Sequence, residues 1–197
     1  MNIIDAIVNR RSIRTFLEKD IDRAILEKIL TAGMSAPSAK NRQPWKFIVI
    51  ANERKHDMIS IIKSGLEHEK SGAGLLPNFK QYISSAEHTV KIMEEAPVTL
   101  FVINTENVFL LNQTAEEKLF EMANIQSIGA SIQNILLAAL EYGIGSLWIC
   151  DIYFAYHELR TWLNTEQQII AAVSLGYPNE TPFPRARKRI DAIVEWK

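Results

Sequence analysis

A chain of 197 residues that is 47% hydrophobic is long enough to bury one substantial core. Its formal net charge of −1 excludes the large positive excess of a general polyanion binder, and its lone cysteine, Cys150, excludes an intramolecular disulfide. No Pro/Gly/Ser-rich linker divides the chain, no apolar run approaches the ~20 residues of a membrane span, and no charged segment followed by a long apolar run opens it. One domain over residues 1–197, in the cytoplasm and without nucleic-acid or membrane partners, is therefore expected.

In chain order, Ile3, Ile4, Ile7 and Val8 recur at helical spacing and predict a short helix that delivers Arg10, Arg11, Ser12 and Arg14 at its end. A second helix begins after Asp20 or Asp22, presents Ile25, Leu26, Ile29 and Leu30 on one face, and cannot pass Pro37. Ala36 to Trp45 forms a loop of small, turn-forming and amide side chains, including Pro37, Ser38, Ala39, Asn41 and Gln43. Lys46–Ala51 reads as a strand, after which Asn52 is placed to cap a helix that Gly65 would end. The mixed stretch from Gly65 to Pro77 predicts a loop or mobile cover, and Phe79 to Met93 a further helix stopped by Pro97.

Val98–Ile103 has the near-continuous apolar character of a buried central strand, followed by a loop over Asn104–Thr114. Ala115–Tyr142 contains no proline and keeps helical apolar spacing throughout, making it the longest helix, with Gly143 and Gly145 at its end. Ser146–Cys150 is the next strand. A helix around Ala155–Leu163, a strand over Ile169–Leu175, a loop over Pro178–Pro184 and a short strand within Ile190–Trp196 complete the series. Helices separating single strands leave both α/β and α+β open.

Three stretches in order carry the chemistry. Arg10-Arg11-Ser12-Ile13-Arg14, Pro37-Ser38-Ala39-Lys40-Asn41-Arg42-Gln43-Pro44-Trp45 and Arg185-Ala186-Arg187 together resemble the FMN-dependent nitroreductase family, and Gly143 to Ile149 fits that family's strand beside the flavin. The resemblance implies an α+β fold, with a mostly antiparallel sheet wrapped by helices. It also implies an obligate homodimer, the long helix at its core and the C-terminal tail exchanged. FMN would lie at the subunit interface as cofactor, NAD(P)H would be the co-substrate, and small planar acceptors such as nitroaromatics or quinones would be reduced by a ping-pong mechanism. A flavin-binding storage or sensor protein would share the same site.

By that resemblance, Arg10, Ser12, Arg185 and Arg187 meet the phosphate and ribityl chain, Arg11 belongs to the same cofactor site, and Arg14 lies near the pyrimidine side of the ring. Pro37, Ser38, Ala39 and Asn41 close the ring from the other subunit, and Trp148, Ile149 and Cys150 run along its edge. A guanidinium suits phosphate because its rigid fork grips two oxygens, which an ammonium cannot copy. Cys150, lone and on a strand, reads as a buried small hydrophobe rather than a nucleophile. The ring-facing asparagine that family members often carry after the first strand has no counterpart between Gly65 and Gly74. Gly143-Ile144-Gly145 lacks the third glycine of a dinucleotide fingerprint, and the four histidines show no ligand spacing, so no metal is expected.

Overall fold

The computed structural model describes residues 2–108 and 113–197. Among them, β1 (Trp45–Ala51), β2 (Val98–Val108), β3 (Gly145–Ile149) and β4 (Gln167–Gly176) form one sheet in the order β1-β2-β4-β3, every neighbouring pair antiparallel. The fold is α+β, as the family resemblance implies.

The two faces of the sheet follow from alternation along the strands. On β2, Val98, Leu100 and Val102 face a core shared with α2 (Arg23–Met34) and α5 (Ala115–Glu141). Phe101 and Ile103 face the opposite core, built with α3 (Glu53–Ser71), α4 (Ile83–Glu95) and α6 (Tyr156–Trp162). On β4 the alternation breaks once. Val102 stands opposite Ala171 and Ile103 opposite Ile169, so Ile170 is an extra residue, and Ile170 and Ala171 both turn to the α5 side.

Local chemistry sets the helix ends. The Asn2 side chain accepts from the Asp5 N–H at 2.9 Å to start α1 (Ile3–Asn9), and Asp22 accepts from the Ala24 N–H at 2.8 Å to start α2. At α5 a reciprocal pair closes the first turn: the Glu117 N–H donates to Thr114 Oγ1 at 3.2 Å, and the Thr114 N–H donates to the Glu117 carboxylate at 2.8 Å.

Several expectations are corrected. Asn52 precedes α3 but does not cap it through its side chain, because its backbone sits at φ 52°, ψ −135°. Gly65 does not end α3; the helix runs to Ser71 and stops at Gly72, whose φ of 85° suits the left-handed terminus. Most of the expected loop over Gly65–Pro77 is thus helix. Gly65 is there for proximity: a Cβ on it would lie 2.4 Å from the Cβ of Ala155, where the turn after β3 crosses α3. Gly65→Ala is therefore expected to destabilise the fold by about 1–3 kcal/mol through overpacking, read as a lowered thermal midpoint; an unchanged midpoint would contradict this contact.

The strand β2 extends through Asn104–Val108, which the sequence assigned to a loop; residues 109–112 of that loop lie outside the described residues. Asn104 continues the ladder because its buried amide donates to Gln168 Oε1 on β4 at 3.1 Å and its own Oδ1 accepts from the Glu106 N–H. At the C-terminus, Ile190–Ala192 is a 3-10 turn rather than a strand, and no sheet edge pairs with it.

Candidate functional site

Beyond α1 the segment Arg10–Phe16 is extended and held on both sides. The Ile13 N–H donates to the Ser146 carbonyl at 3.0 Å, and Ser12 bridges Ser146 in parallel at the start of β3. On the other side the Glu180 carboxylate accepts from the backbone N–H groups of Arg14 and Thr15, the latter at 3.2 Å, while the Asn179 N–H donates to the Thr15 carbonyl at 3.0 Å. Arg10, Ser12 and Arg14 are thereby fixed beside β3. An adjoining cavity of about 430 Å³ is lined by Arg10, Arg11, Ile13, Ser146, Glu180 and Phe183 among others.

The guanidinium groups here are unequal. Burial lowers the Arg10 pKa below its ordinary value, and the charges of Arg187 and then Arg11 lower it further, so three cations converge on one place. The Nε of Arg10 is buried and has no hydrogen-bond partner among the described residues. Such a group is costly to leave unmade, and an anion would satisfy it while relieving the repulsion. Arg11 is committed elsewhere: its Nη1 donates to the Val8 and Arg10 carbonyls at 2.7 and 2.9 Å, closing the end of α1. Arg14 donates to the Ser12 carbonyl at 3.3 Å. Arg187 is exposed; Arg185 is exposed too and is not among the charges that act on Arg10.

From this cationic end, β3 runs along the sheet edge. Because the Ser146 carbonyl points outward to Ile13, Trp148, of the same parity, also turns its backbone groups to the open edge, whereas Ile149 turns its own to β4 and the Cys150 carbonyl accepts from the Tyr153 N–H at 3.1 Å in the turn that follows. The Ile149 side chain is buried in the α3/α4/α6 core, so no side-chain role at the edge remains for it. The Trp148 ring is 38% exposed and packs over Gly129 of α5.

Cys150 is exposed and sits just past β3, which corrects the expectation of a buried strand residue. Partial desolvation and then the neighbouring Asp151 charge raise its thiol pKa, so little thiolate forms at neutral pH. Tyr153 donates to the Ile170 carbonyl at 3.2 Å, and burial pushes its pKa up to about 12. Asp151 accepts from the Thr89 hydroxyl at 2.5 Å. Neither Cys150 nor Tyr153, at the end of β3, thus gives up a proton readily near pH 7.

The Ala36–Pro44 loop is elsewhere in the chain. The Ala39 N–H donates to Ser127 Oγ on α5 at 3.3 Å, and Ser38 Oγ accepts from the Gln43 N–H at 3.0 Å, which closes the loop on itself. Lys40, Asn41 and Gln43 all take positive φ, near 50°, three of the five non-glycine residues that do so among the described residues. Ser127 lies roughly 20 Å along α5 from Leu140, which lines the cavity beside Arg10, and about 200° around the helix from Gly129, which carries Trp148. Pro37, Ser38, Ala39 and Asn41 therefore do not meet the arginine cluster or the β3 edge of their own chain.

Sequence reasoning did not single out Glu180 or the role of Ser146. Ser146 was visible only as the first residue of an expected strand, and Glu180 in a loop carries no signal until folding brings it against Arg14, 166 residues away.

A family model described as the nitroreductase family matches residues 7–177, and the chain belongs to that family. A protein of Archaeoglobus fulgidus, whose name places it among NADH dehydrogenases and NAD(P)H nitroreductases, is 30% identical over 191 residues, covering 94% of this chain and 91% of its own. The solved structure of a nitroreductase-type protein from Desulfovibrio desulfuricans in complex with FMN superposes with a TM-score of 0.73 at 25% identity, over 100% of this chain and 98% of that one. The FMN- and NADPH-dependent nitroreductase NfnB of a Sphigopyxis strain superposes with a TM-score of 0.81 at 20% identity, over 100% and 99% of the two chains, a likeness of fold.

Proposed function

We propose that this nitroreductase is an FMN-dependent oxidoreductase that takes reducing equivalents from NAD(P)H and passes them to small planar acceptors, nitroaromatics and quinones among them, in alternating half-reactions. The observation that carries this reading is the convergence of Arg10, Arg11 and Arg187 on a buried Arg10 Nε that has no partner among the described residues, at one end of an open strand edge. The residues fit the cofactor: Arg10 and Arg187 would hold its phosphate, Ser12 its polyol, and the outward N–H group of Trp148 would meet the edge of the ring. When bound, FMN supplies the two-electron chemistry between nicotinamide and acceptor.

The chain itself binds and orients. Glu180 fixes the backbone of Arg14, whose cation then stabilises negative charge developed nearby. Cys150 and Tyr153 stay protonated near the far end of β3.

The reading includes a homodimer with each site shared. Ile3, Ile4, Ile7 and Val8 on α1, Leu119 and Met122 on α5, and Phe183, Ile190, Ile193 and Trp196 on the tail are exposed, Phe183 at 91% and Trp196 at 87%. Apolar surface on that scale suits burial against a second copy. A second copy also answers the separation of the loop from the arginines, since its Pro37-Ser38-Ala39 would close the site that the first chain leaves open.

Chromatography of acid-released cofactor from purified protein tests the cofactor assignment. FMN is the expected product; FAD, or no flavin after reconstitution with FMN, would overturn it.

A further inference from the structure

Arg42 is the one side chain of the strained loop that lies on an aromatic ring. Its guanidinium carbon is 4.6 Å from the centroid of the Phe120 ring on α5, and the group is only half-buried. Among the described residues it makes no side-chain hydrogen bond and no ion pair. The nearby carboxylates are absent or otherwise engaged: the loop from Ala36 to Trp45 holds Lys40 and Arg42 but no acid, Glu117 closes the first turn of α5, and Glu121 accepts from the Gln168 amide. Glu116, one turn before Phe120, is exposed and forms no ion pair with Arg42.

Three positive-φ residues in four positions are costly for a loop that merely connects α2 to β1, at about 1–3 kcal/mol for each sparsely populated conformation. That backbone, closed by Ser38 on Gln43 and pinned by Ala39 to Ser127, is what places Arg42 over Phe120. An arginine over a ring with no hydrogen bond or ion pair of its own among the described residues has N–H groups available to grip two oxygens of a planar anion, and the exposed Phe120 adds an apolar shelf beside it.

We infer that Arg42 and Phe120 form a specificity element of the shared pocket that selects planar acceptors bearing a carboxylate or similar anionic group on the ring, over neutral ones of the same shape. The inference rests on the proposed function, in that the loop of one chain borders the site of the other. Lys40, exposed on the same loop, adds charge without a fixed direction. The phosphates of NAD(P)H present the other anion that could come to this rim, and the test separates the two.

The probes are 4-nitrobenzoate and its neutral methyl ester as acceptors, with benzoate as a ligand that cannot be reduced. For the FMN-loaded protein, kcat/KM is expected to favour 4-nitrobenzoate over the ester, and Arg42→Gln should lower that ratio roughly ten- to a hundred-fold, the factor lost with a hydrogen bond to a charged group. Benzoate affinity by calorimetry should fall by a similar factor, a readout that requires no turnover. Arg42→Lys, which keeps the charge but loses the planar fork, should restore only part of both. An unchanged acceptor ratio and unchanged benzoate affinity in Arg42→Gln would overturn the inference. So would a loss confined to the NAD(P)H half-reaction, which would give Arg42 to the dinucleotide phosphates. Flavin content is measured first: protein that binds no FMN refutes the proposed function itself, whereas flavin-loaded protein with no anion preference refutes only the role of Arg42.

Discussion

Two inactive variants, refolded together, are expected to regain roughly one quarter of wild-type activity. Arg187→Glu puts a negative charge where the phosphate is proposed to be held, and Ser38→Trp puts a bulky ring into the loop proposed to close the site from the other chain. Each homodimer should be nearly inactive, because both of its sites carry the defect. In a mixed dimer one site carries both defects and the other carries neither. Random pairing makes about half the dimers mixed and about half of their sites intact, which yields the quarter if the two sites act independently. The physical basis is the placement of the loop on α5, roughly 20 Å along the helix from the cavity beside Arg10 and on the far side from Trp148. Mass spectrometry that finds mixed dimers without activity, while wild type refolds in the same buffer, would contradict a shared site.

The second large effect concerns Arg10. Its Nε is buried without a partner, and Arg187 and Arg11 both press charge on it, so it has more to gain from an anion than a solvated arginine has. Arg10→Ala is expected to weaken FMN binding about ten- to a hundred-fold, since a hydrogen bond involving a charged group contributes ~1.5–3 kcal/mol. The measurement is a fluorescence titration of apoprotein with FMN, with the thermal midpoint of the apoprotein as a check on folding. Unchanged affinity in a folded variant would remove Arg10 from the site.

What the sequence revealed depended on how local the cause was. Apolar periodicity located α5 to within a residue at each end, because its capping box and its buried stripe are written in consecutive residues. It failed at Gly65, where the reason for glycine is a neighbour 90 residues away, Ala155, and not the end of a helix. It failed again at Asn104–Val108, whose polar residues belong to a strand because Gln168 answers Asn104 across the sheet. At the site, the guanidinium groups were legible as residue types, while their inequality was not. Arg11 turns back to cap α1, Arg185 is not among the charges that act on Arg10, and of these groups Arg10 has a buried Nε without a partner among the described residues. Cys150 was misplaced because β3 ends at Ile149, one residue earlier than the apolar run suggests, leaving the thiol at the surface.

The most direct test of the oxidoreductase reading is to mix flavin-loaded protein anaerobically with NADH, and separately with NADPH, while following the visible absorbance of the cofactor. At least one nicotinamide is expected to bleach it, and a nitroaromatic or quinone added afterwards is expected to restore it. If dithionite bleaches the cofactor and neither nicotinamide does, the protein binds flavin without turning it over, and the assignment as an NAD(P)H-dependent enzyme is contradicted.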